Sequence, residues 1–235
     1  EKLGIPVMHD DQHGTAVVVL AALKNALKLA GKQIGKIKIV INGAGSAGTA
    51  IAYLLFAAGA KDILLCDKSG IVNDGTFADE HRKKLVARAN PGKKRGGLKD
   101  ALIGADVFIG VSVGNIVTSE MVSSMAPKSI VFAMANPIPE ILPEDAKAAG
   151  AFIVGTGRSD LPNQINNALG FPGIFRGLPD SRAKGISERM LLSAADALAG
   201  CVAADDLRPD YVIPSPFDKS VVKSIALAVV GASKN

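Results

Sequence analysis

Six consecutive residues, Gly43-Ala44-Gly45-Ser46-Ala47-Gly48, carry the clearest chemistry in this chain. Their G-x-G-x-x-G spacing suits a pyrophosphate. Gly43 permits a tight turn, Gly45 has no Cβ to keep the main chain away from phosphates, and Gly48 lets a following helix lie close on a sheet. A helix N-terminus also offers unpaired N–H groups and a partial positive charge to an anion. Asp67 lies 19 residues beyond Gly48, where an acid accepts hydrogen bonds from an adenosine ribose. A carboxylate there repels a 2′-phosphate and so favours NAD. The adjacent Lys68 offsets part of that repulsion, so NADP stays open. Outside a strand–helix–strand frame, the same glycines would be only a turn.

Three further groups have suggestive spacing. Residues 5–16 read Ile-Pro-Val-Met-His-Asp-Asp-Gln-His-Gly-Thr-Ala. Asp10 and Asp11 stand just before a helix, where acids serve as caps and complement the helix dipole, or where they hold a metal ion. His9 and His13 are four apart, but His9 falls outside the helix, so each reads as a hydrogen-bonding residue rather than a ligand. Asn136 follows an apolar strand, at the carboxyl edge where ligands of open parallel sheets bind; Asn-Pro is also a turn former. Residues 157–167 are crowded with amides, including Asn166 and Asn167. Amides bind polar oxygens without adding charge, and the alternative is an ordinary polar loop.

These groups need elements to position them. The run at 36–42 is a strand leading into the glycines, a helix follows at about 46–59, and a second strand at 61–67 ends on Asp67. The glycines and the acid thus sit at the ends of two strands of one βαβ unit. Next come a polar helix near 77–88, a Gly/Lys-rich loop at 90–97 and an apolar strand at 106–110. Helix 118–124 and strand 129–134 follow, then a break at Pro137 and Pro139, helix 142–149 and a fifth strand at 151–155. Ahead of all these, 14–30 forms a helix with Leu20, Leu23 and Leu27 on one face and Gly31 as its stop. Beyond Ser159 the strand pattern ends. Ser187 caps a helix through Ala199, and Ser215-Pro216 opens a last helix with Pro in the first turn.

Strands alternating with helices predict an α/β fold, a Rossmann-like doubly wound parallel sheet with flanking and C-terminal helices. The late helices pack on the sheet or on another subunit. The expected organisation is one domain. A leading helix with an acidic segment occupies 1–30, the nucleotide core 36–158, and the amide-rich loop with the C-terminal helices 159–235.

Composition excludes several function classes. Of 235 residues, 48% are hydrophobic and 4% aromatic with no Trp, which implies an aliphatic, Ala-rich core under helices. Net charge is +5, and the densest basic cluster is Lys93-Lys94-Arg95, near Arg82, Lys83, Lys84 and Arg88. No aromatics interleave with it, so it reads as a solvated loop and not a nucleic-acid surface. Cys66 and Cys201 do not make a disulfide framework, which fits a reducing, cytoplasmic setting. The longest apolar run, 16–30, is interrupted by Lys24, Asn25 and Lys28, which argues against a membrane span.

HDDQHGTA, GAGSAG, ANPIPE and LPNQINNALGFPG, in this order, resemble malic enzyme over essentially all 235 residues. The short spacings and the form GFPGIFRG resemble the compact bacterial-type branch. The resemblance implies metal-dependent oxidative decarboxylation of (S)-malate to pyruvate and CO2, with NAD or NADP reduced and Mg2+ or Mn2+ required. By motif position, Asp11 corresponds to a metal carboxylate and Asp10 to the aspartate that assists a catalytic lysine. Asn136 and Asn166 correspond to amides that hold malate near the nicotinamide, with Asn167 a neighbouring candidate. The implied chemistry is consistent. A hard cation takes oxygen ligands and acts as a Lewis acid, a base removes the hydroxyl proton, and an acid protonates the enolpyruvate carbon.

The resemblance also implies parts with no match here. The family's amino-terminal substrate domain carries the catalytic tyrosine and lysine and two more metal carboxylates; Tyr53 and Tyr211 do not lie in its tyrosine motif. We therefore expect a C-terminal portion of a longer polypeptide, usually a homo-oligomer, that binds cofactor but turns over malate poorly by itself. Two other readings remain at this point. One is the second domain of another NAD-dependent dehydrogenase, with Asp10 and Asp11 structural; the other is a non-catalytic dinucleotide-binding module.

Overall fold

In a computed structural model that describes residues 6–73, 76, 77 and 79–233, six strands form a single sheet. Residues 1–5 of the leading segment, Ile5 of the acidic motif among them, and residues 234 and 235 of the tail lie outside the described residues. In chain order the elements are α1 (Thr15–Ala30), β1 (Lys38–Asn42), α2 (Ser46–Ala57), β2 (Asp62–Asp67) and β3 (Gly70–Ile71). Then come α3 (Glu80–Ala89), α4 (Leu98–Leu102), β4 (Val107–Gly110), α5 (Ser119–Ser123), β5 (Ile130–Ala133), α6 (Pro143–Ala148) and β6 (Ile153–Thr156). The chain ends with α7 (Phe171–Ser181), α8 (Glu188–Gly200) and α9 (Lys219–Ser233).

The strand order is β3-β2-β1-β4-β5-β6. All neighbours are parallel except β2 and β3. The chain runs outward from β1 to β2 and β3, then returns to β4 on the other side of β1. That reversal opens a crevice beyond the carboxyl ends of β1 and β4, the usual ligand site of such sheets.

Side-chain alternation sorts the two faces. Ile39, Ile41, Ile63, Leu65, Val107, Ile109, Ile130 and Phe132 belong to the core shared with α1, α2 and α8. Val40, Leu64, Cys66, Phe108, Val131 and Val154 belong to the opposite core under α4, α5 and α6. Strands buried on both faces need continuous apolar sequence, which is what these runs supply. The sheet is therefore doubly wound, as the sequence pattern predicts.

α1 departs from the one-sided helix expected of its leucines. From Ala16 to Leu23 every residue is buried. α2 and α8 cover the faces that the sheet does not, so a Val/Ala-rich helix lies inside the molecule. Asn25 is buried there, and its Nδ2 donates to Ala199 O at 2.9 Å and Val212 O at 3.0 Å. Gly31 ends the helix at φ 69°. α8 packs on α1, and α9 packs on both α7 and α8, so the late helices form a further layer behind the first.

One other expectation changes. The last helix begins at Lys219, not at Ser215-Pro216. The Ser215 carbonyl accepts from Asp218 N–H at 3.0 Å and makes a separate turn, while the Asp218 carboxylate accepts from Ser220 N–H at 2.8 Å and caps the helix. Helix α7 was not among the expected elements, and it carries Pro172, Gly173, Gly177 and Pro179. Pro172 sits in the first turn, where it costs no hydrogen bond. A Cβ on Gly173 would stand 2.5 Å from Ile225 Cβ, and one on Gly177 would stand 2.7 Å from Val229 Cβ. The glycines are therefore the face on which α7 meets α9. Strand β3 was also outside the sequence reading, since two residues carry no periodicity.

The glycine turn is a tight steric fit. Gly43 has φ 116°, and a Cβ there would lie 2.6 Å from Val111 O. A Cβ on Gly48 would lie 1.9 Å from Gly43 O. No helix among the described residues is long and apolar enough to cross a membrane.

Gly48→Ala should lower stability by about 3 kcal/mol, read as the midpoint and slope of urea unfolding; an unchanged midpoint would contradict the packing described. Burial also pushes the Cys66 thiol up to about 12. The thiolate is the reactive form, so at pH 8 Ellman's reagent should modify Cys66 only as fast as the protein unfolds. Modification in native buffer at the denatured rate would show that the thiol is not enclosed.

Candidate functional site

The parallel register sets Cys66, Asn42, Gly110, Ala133 and Thr156 side by side across five strands. The next residue starts a loop in four of them, at Gly43, Val111, Met134 and Gly157, and in β2 it is the last strand residue, Asp67. A cleft with two lobes follows this edge. One lobe, of about 520 Å3, is lined by Gly43, Asp67, Lys68, Gly97, Ser112 and Val113 among others. The other, of about 330 Å3, is lined by Asp11, Ala47, Ser112, Asn136, Asn166 and Asn167 among others. Ser112 belongs to both, so the lobes adjoin.

The first lobe fits a dinucleotide. Helix α2 starts at Ser46 with Gly45 as its extended N-cap, and the first N–H groups of a helix have no partner within it. A Cβ built on Gly45 meets nothing within 4 Å, so there is open space beside the N-terminus where phosphates would lie. The Thr49 hydroxyl donates to Gly45 O at 2.8 Å and holds the turn. Ala44 is buried beneath it. The Asp67 carboxylate accepts from Ser69 N–H at 2.7 Å through one oxygen, which holds the acid at the end of β2. Ser46 itself faces a separate depression beside Gln12, His13 and Leu191, so what it offers the cleft is its N–H.

The acidic segment forms a single wide π-helical turn, Asp10–Gly14, ahead of α1. Its two carboxylates diverge. Asp11 is exposed and lines the second lobe. Asp10 turns inward, where its Oδ2 accepts from Asn167 Nδ2 at 2.7 Å. Its Oδ1 is buried without a hydrogen-bond partner, against Gly14, where a Cβ would lie 2.1 Å away. Burial raises the Asp10 carboxyl above the usual aspartate range, the charge of Asp11 adds to this, and the Asn167 hydrogen bond opposes it.

The histidines do not form a ligand pair. His13 Nδ1 accepts from His9 N–H at 3.0 Å, and burial lowers the His13 pKa. Among the described residues no group of three His, Cys, Asp or Glu is arranged to hold a metal. Asp11 nevertheless fits one ligand position, since a hard cation takes carboxylate oxygen and this carboxylate faces open cleft.

The amides converge on the same lobe. Asn136 is exposed at the end of β5. Asn166 Oδ1 accepts from Ala168 N–H at 2.9 Å, and its Nδ2 is 3.5 Å from Gly157 O. Asn163, in the same amide-rich stretch, is instead structural. It is buried, and its Nδ2 donates to Val154 O and Pro209 O at 2.9 and 2.8 Å. Asp11, Asn136, Asn166 and Asn167, spread over 157 positions of sequence, thus line one cavity beside Ala47 of the glycine turn.

Two residues at this edge carried no expected role. Ser112 follows β4 and accepts from Asn42 Nδ2 at 2.6 Å. Glu140 is fully buried below the second lobe. An acid inside the otherwise apolar stretch after Pro137 and Pro139 was the available signal.

Known proteins match this chain closely. It matches the family described as "Malic enzyme, NAD binding domain" over residues 12–233. It is 54% identical over 235 residues to the bifunctional malic/malolactic enzyme of Bacillus subtilis (strain 168), covering 99% of this chain and 57% of that protein. It is 50% identical over 234 residues to the NAD-dependent malic enzyme of Geobacillus stearothermophilus, covering 99% and 49%. The crystal structure of malic enzyme from Pyrococcus horikoshii Ot3 superposes with a TM-score of 0.94 at 43% identity, covering 99% of this chain and 56% of that one. The chain spans about half the length of the curated relatives it matches. Its doubly wound sheet, its glycine turn and the order of its motifs are therefore those of one lineage, and the chain belongs to the malic enzyme NAD-binding domain family.

Proposed function

We propose that this chain is the dinucleotide-binding part of an enzyme that oxidatively decarboxylates (S)-malate to pyruvate and CO2. The observation that carries the reading is the second lobe. There one exposed carboxylate and three amides share a cavity with Ala47 of the glycine turn. When bound, NAD supplies the hydride acceptor and a divalent cation, Mg2+ or Mn2+, supplies a Lewis acid.

The chain's own residues divide the remaining tasks. The N–H groups from Gly45 to Gly48 hold the pyrophosphate, and Asp67 holds the adenosine ribose. That acid favours NAD, with NADP the alternative through Lys68. Asp11 provides one oxygen ligand to the cation. Asn136 and Asn166 orient malate without adding charge, and Asn167 fixes Asp10, which assists a lysine of the substrate domain. The relatives run to about twice this length. We assign the other two metal carboxylates, the lysine and the tyrosine to a substrate domain outside these 235 residues. Residues 1–30, 36–158 and 159–235 then divide one nucleotide domain as the sequence suggests. A cytoplasmic homo-oligomer belongs to the same reading, in keeping with two free thiols, Cys66 and Cys201.

A second reading concerns the chain by itself. With no three-ligand cluster among the described residues, it acts as a dinucleotide-binding module. Calorimetric titration with NADH should show binding, while a malate oxidation assay with Mn2+ should show turnover only in the intact protein. Turnover by the 235-residue chain would contradict the assignment of the missing groups.

Two substitutions test the roles. In the intact protein, Asp11→Asn should lower Mn2+-supported kcat by roughly 100-fold with an unchanged Tm, because the side chain is exposed. Activity at the native level would remove Asp11 from the site. Asp67→Ala should weaken NAD binding by roughly tenfold, the worth of one charge-assisted hydrogen bond, and narrow the gap to NADP. Equal losses for both nucleotides would place the ribose elsewhere.

A further inference from the structure

Glu140 is 0% exposed. A buried carboxylate is costly unless it is hydrogen-bonded, and this one is held by main-chain donors from two different loops. Its Oε1 accepts from Ser112 N–H at 3.1 Å, in the loop after β4. Its Oε2 accepts from Ala135 N–H at 2.9 Å, in the loop after β5 and immediately before Asn136. The fold makes room for it: a Cβ on Gly110, the last residue of β4, would stand 2.3 Å from the Glu140 carboxyl carbon. The same two loops are joined through the main chain. Asn115 N–H donates to Pro139 O and Val117 N–H to Glu140 O, both at 3.0 Å. Gly114 packs so closely that a Cβ there would lie 2.5 Å from Ile138 O.

The bridge continues to the glycine turn. The Ser112 hydroxyl accepts from Asn42 Nδ2 at 2.6 Å, and Asn42 immediately precedes Gly43. Contacts therefore run Asn42–Ser112–Glu140–Ala135, from the residue before the glycine turn to the residue before Asn136. Burial raises the Glu140 carboxyl, and the N–H groups of Ala135 and Ser112 oppose that rise.

We infer that Glu140 is a positioning residue that sets the spacing between the two lobes, by spanning the Ser112 and Ala135 amides with its two oxygens. The inference rests on the proposed reading of Asn136 as a malate-binding residue. Only a carboxylate of this length serves. Glutamine offers one acceptor and turns an NH2 group towards one of the amides. Aspartate is one methylene shorter and reaches only one loop.

The test uses Glu140→Gln and Glu140→Asp in the intact protein, with amide hydrogen exchange and steady-state kinetics on both. Exchange of at least one of the Ser112 and Ala135 amides should quicken at least tenfold in E140Q, while amides inside β1 and β2 keep their rates. The kcat per folded molecule should fall roughly 100-fold in E140Q, as for a misplaced substrate-positioning group, and roughly tenfold in E140D. The Kd for NADH should stay within about threefold. A residue that only supports the fold would lower Tm and leave kcat per folded molecule unchanged, which overturns the proposal. Unchanged exchange at Ser112 and Ala135 overturns it too, whatever the activity. If E140Q does not fold, E140D carries both readouts. Failure of the wild-type protein to oxidise malate with Mn2+ would sink the functional reading instead, while the exchange result still decides whether the bridge exists.

Discussion

The site depends on the alignment of five strand ends. Parallel pairing in register puts Cys66, Asn42, Gly110, Ala133 and Thr156 in one row. The loops after β1, β4, β5 and β6 leave from the residue after that row. A one-residue slip of β1, β4 or β5 would exchange the side chains that fill its two cores, so core packing and site geometry are enforced by the same pairing. The cost of a slip is large because both faces of β1, β4 and β5 are buried.

The glycines act within that constraint. Gly43 and Gly48 are required by contacts between backbone atoms, whereas Gly45 is required by the absence of any contact. The first two close the turn against Val111 and the start of α2, and the third borders open space beside the helix N-terminus. Asp11 reaches the neighbouring lobe because the wide turn at Asp10–Gly14 directs successive acids differently, one into the protein and one into the cleft. Adjacent carboxylates thereby acquire separate environments, which is how one kind of side chain takes two roles.

Much of this was legible in the sequence for a physical reason. The strand 36–42, the glycines and the acid at 67 form a local unit whose signals lie within about thirty residues. Alternating apolar runs then fixed the parallel sheet. Helix α7 was not anticipated because its glycines carry no apolar period and gain their meaning only with α9 packed against them. The start of α9 was misplaced because a Ser-Pro pair and an Asp cap compete locally, and only the tertiary context selects between them. The contact of Asp10 with Asn167 joins positions 157 apart, and the reach of Glu140 into two loops depends on β4 and β5 already being paired. No linear pattern encodes either. The depth of α1 was likewise invisible, since a Val/Ala helix reads as amphipathic until α2 and α8 close over it.

The central claim is that a dinucleotide on the turn at Gly43 and a divalent cation at Asp11 share one cleft. Paramagnetic broadening of bound NAD by Mn2+ in the intact protein tests it most directly, because broadening falls steeply with distance. The account predicts that the nicotinamide protons broaden far more than the adenine protons, and that Asp11→Asn abolishes the difference. Equal broadening of both rings, or none, would place the cation away from the cleft and contradict it.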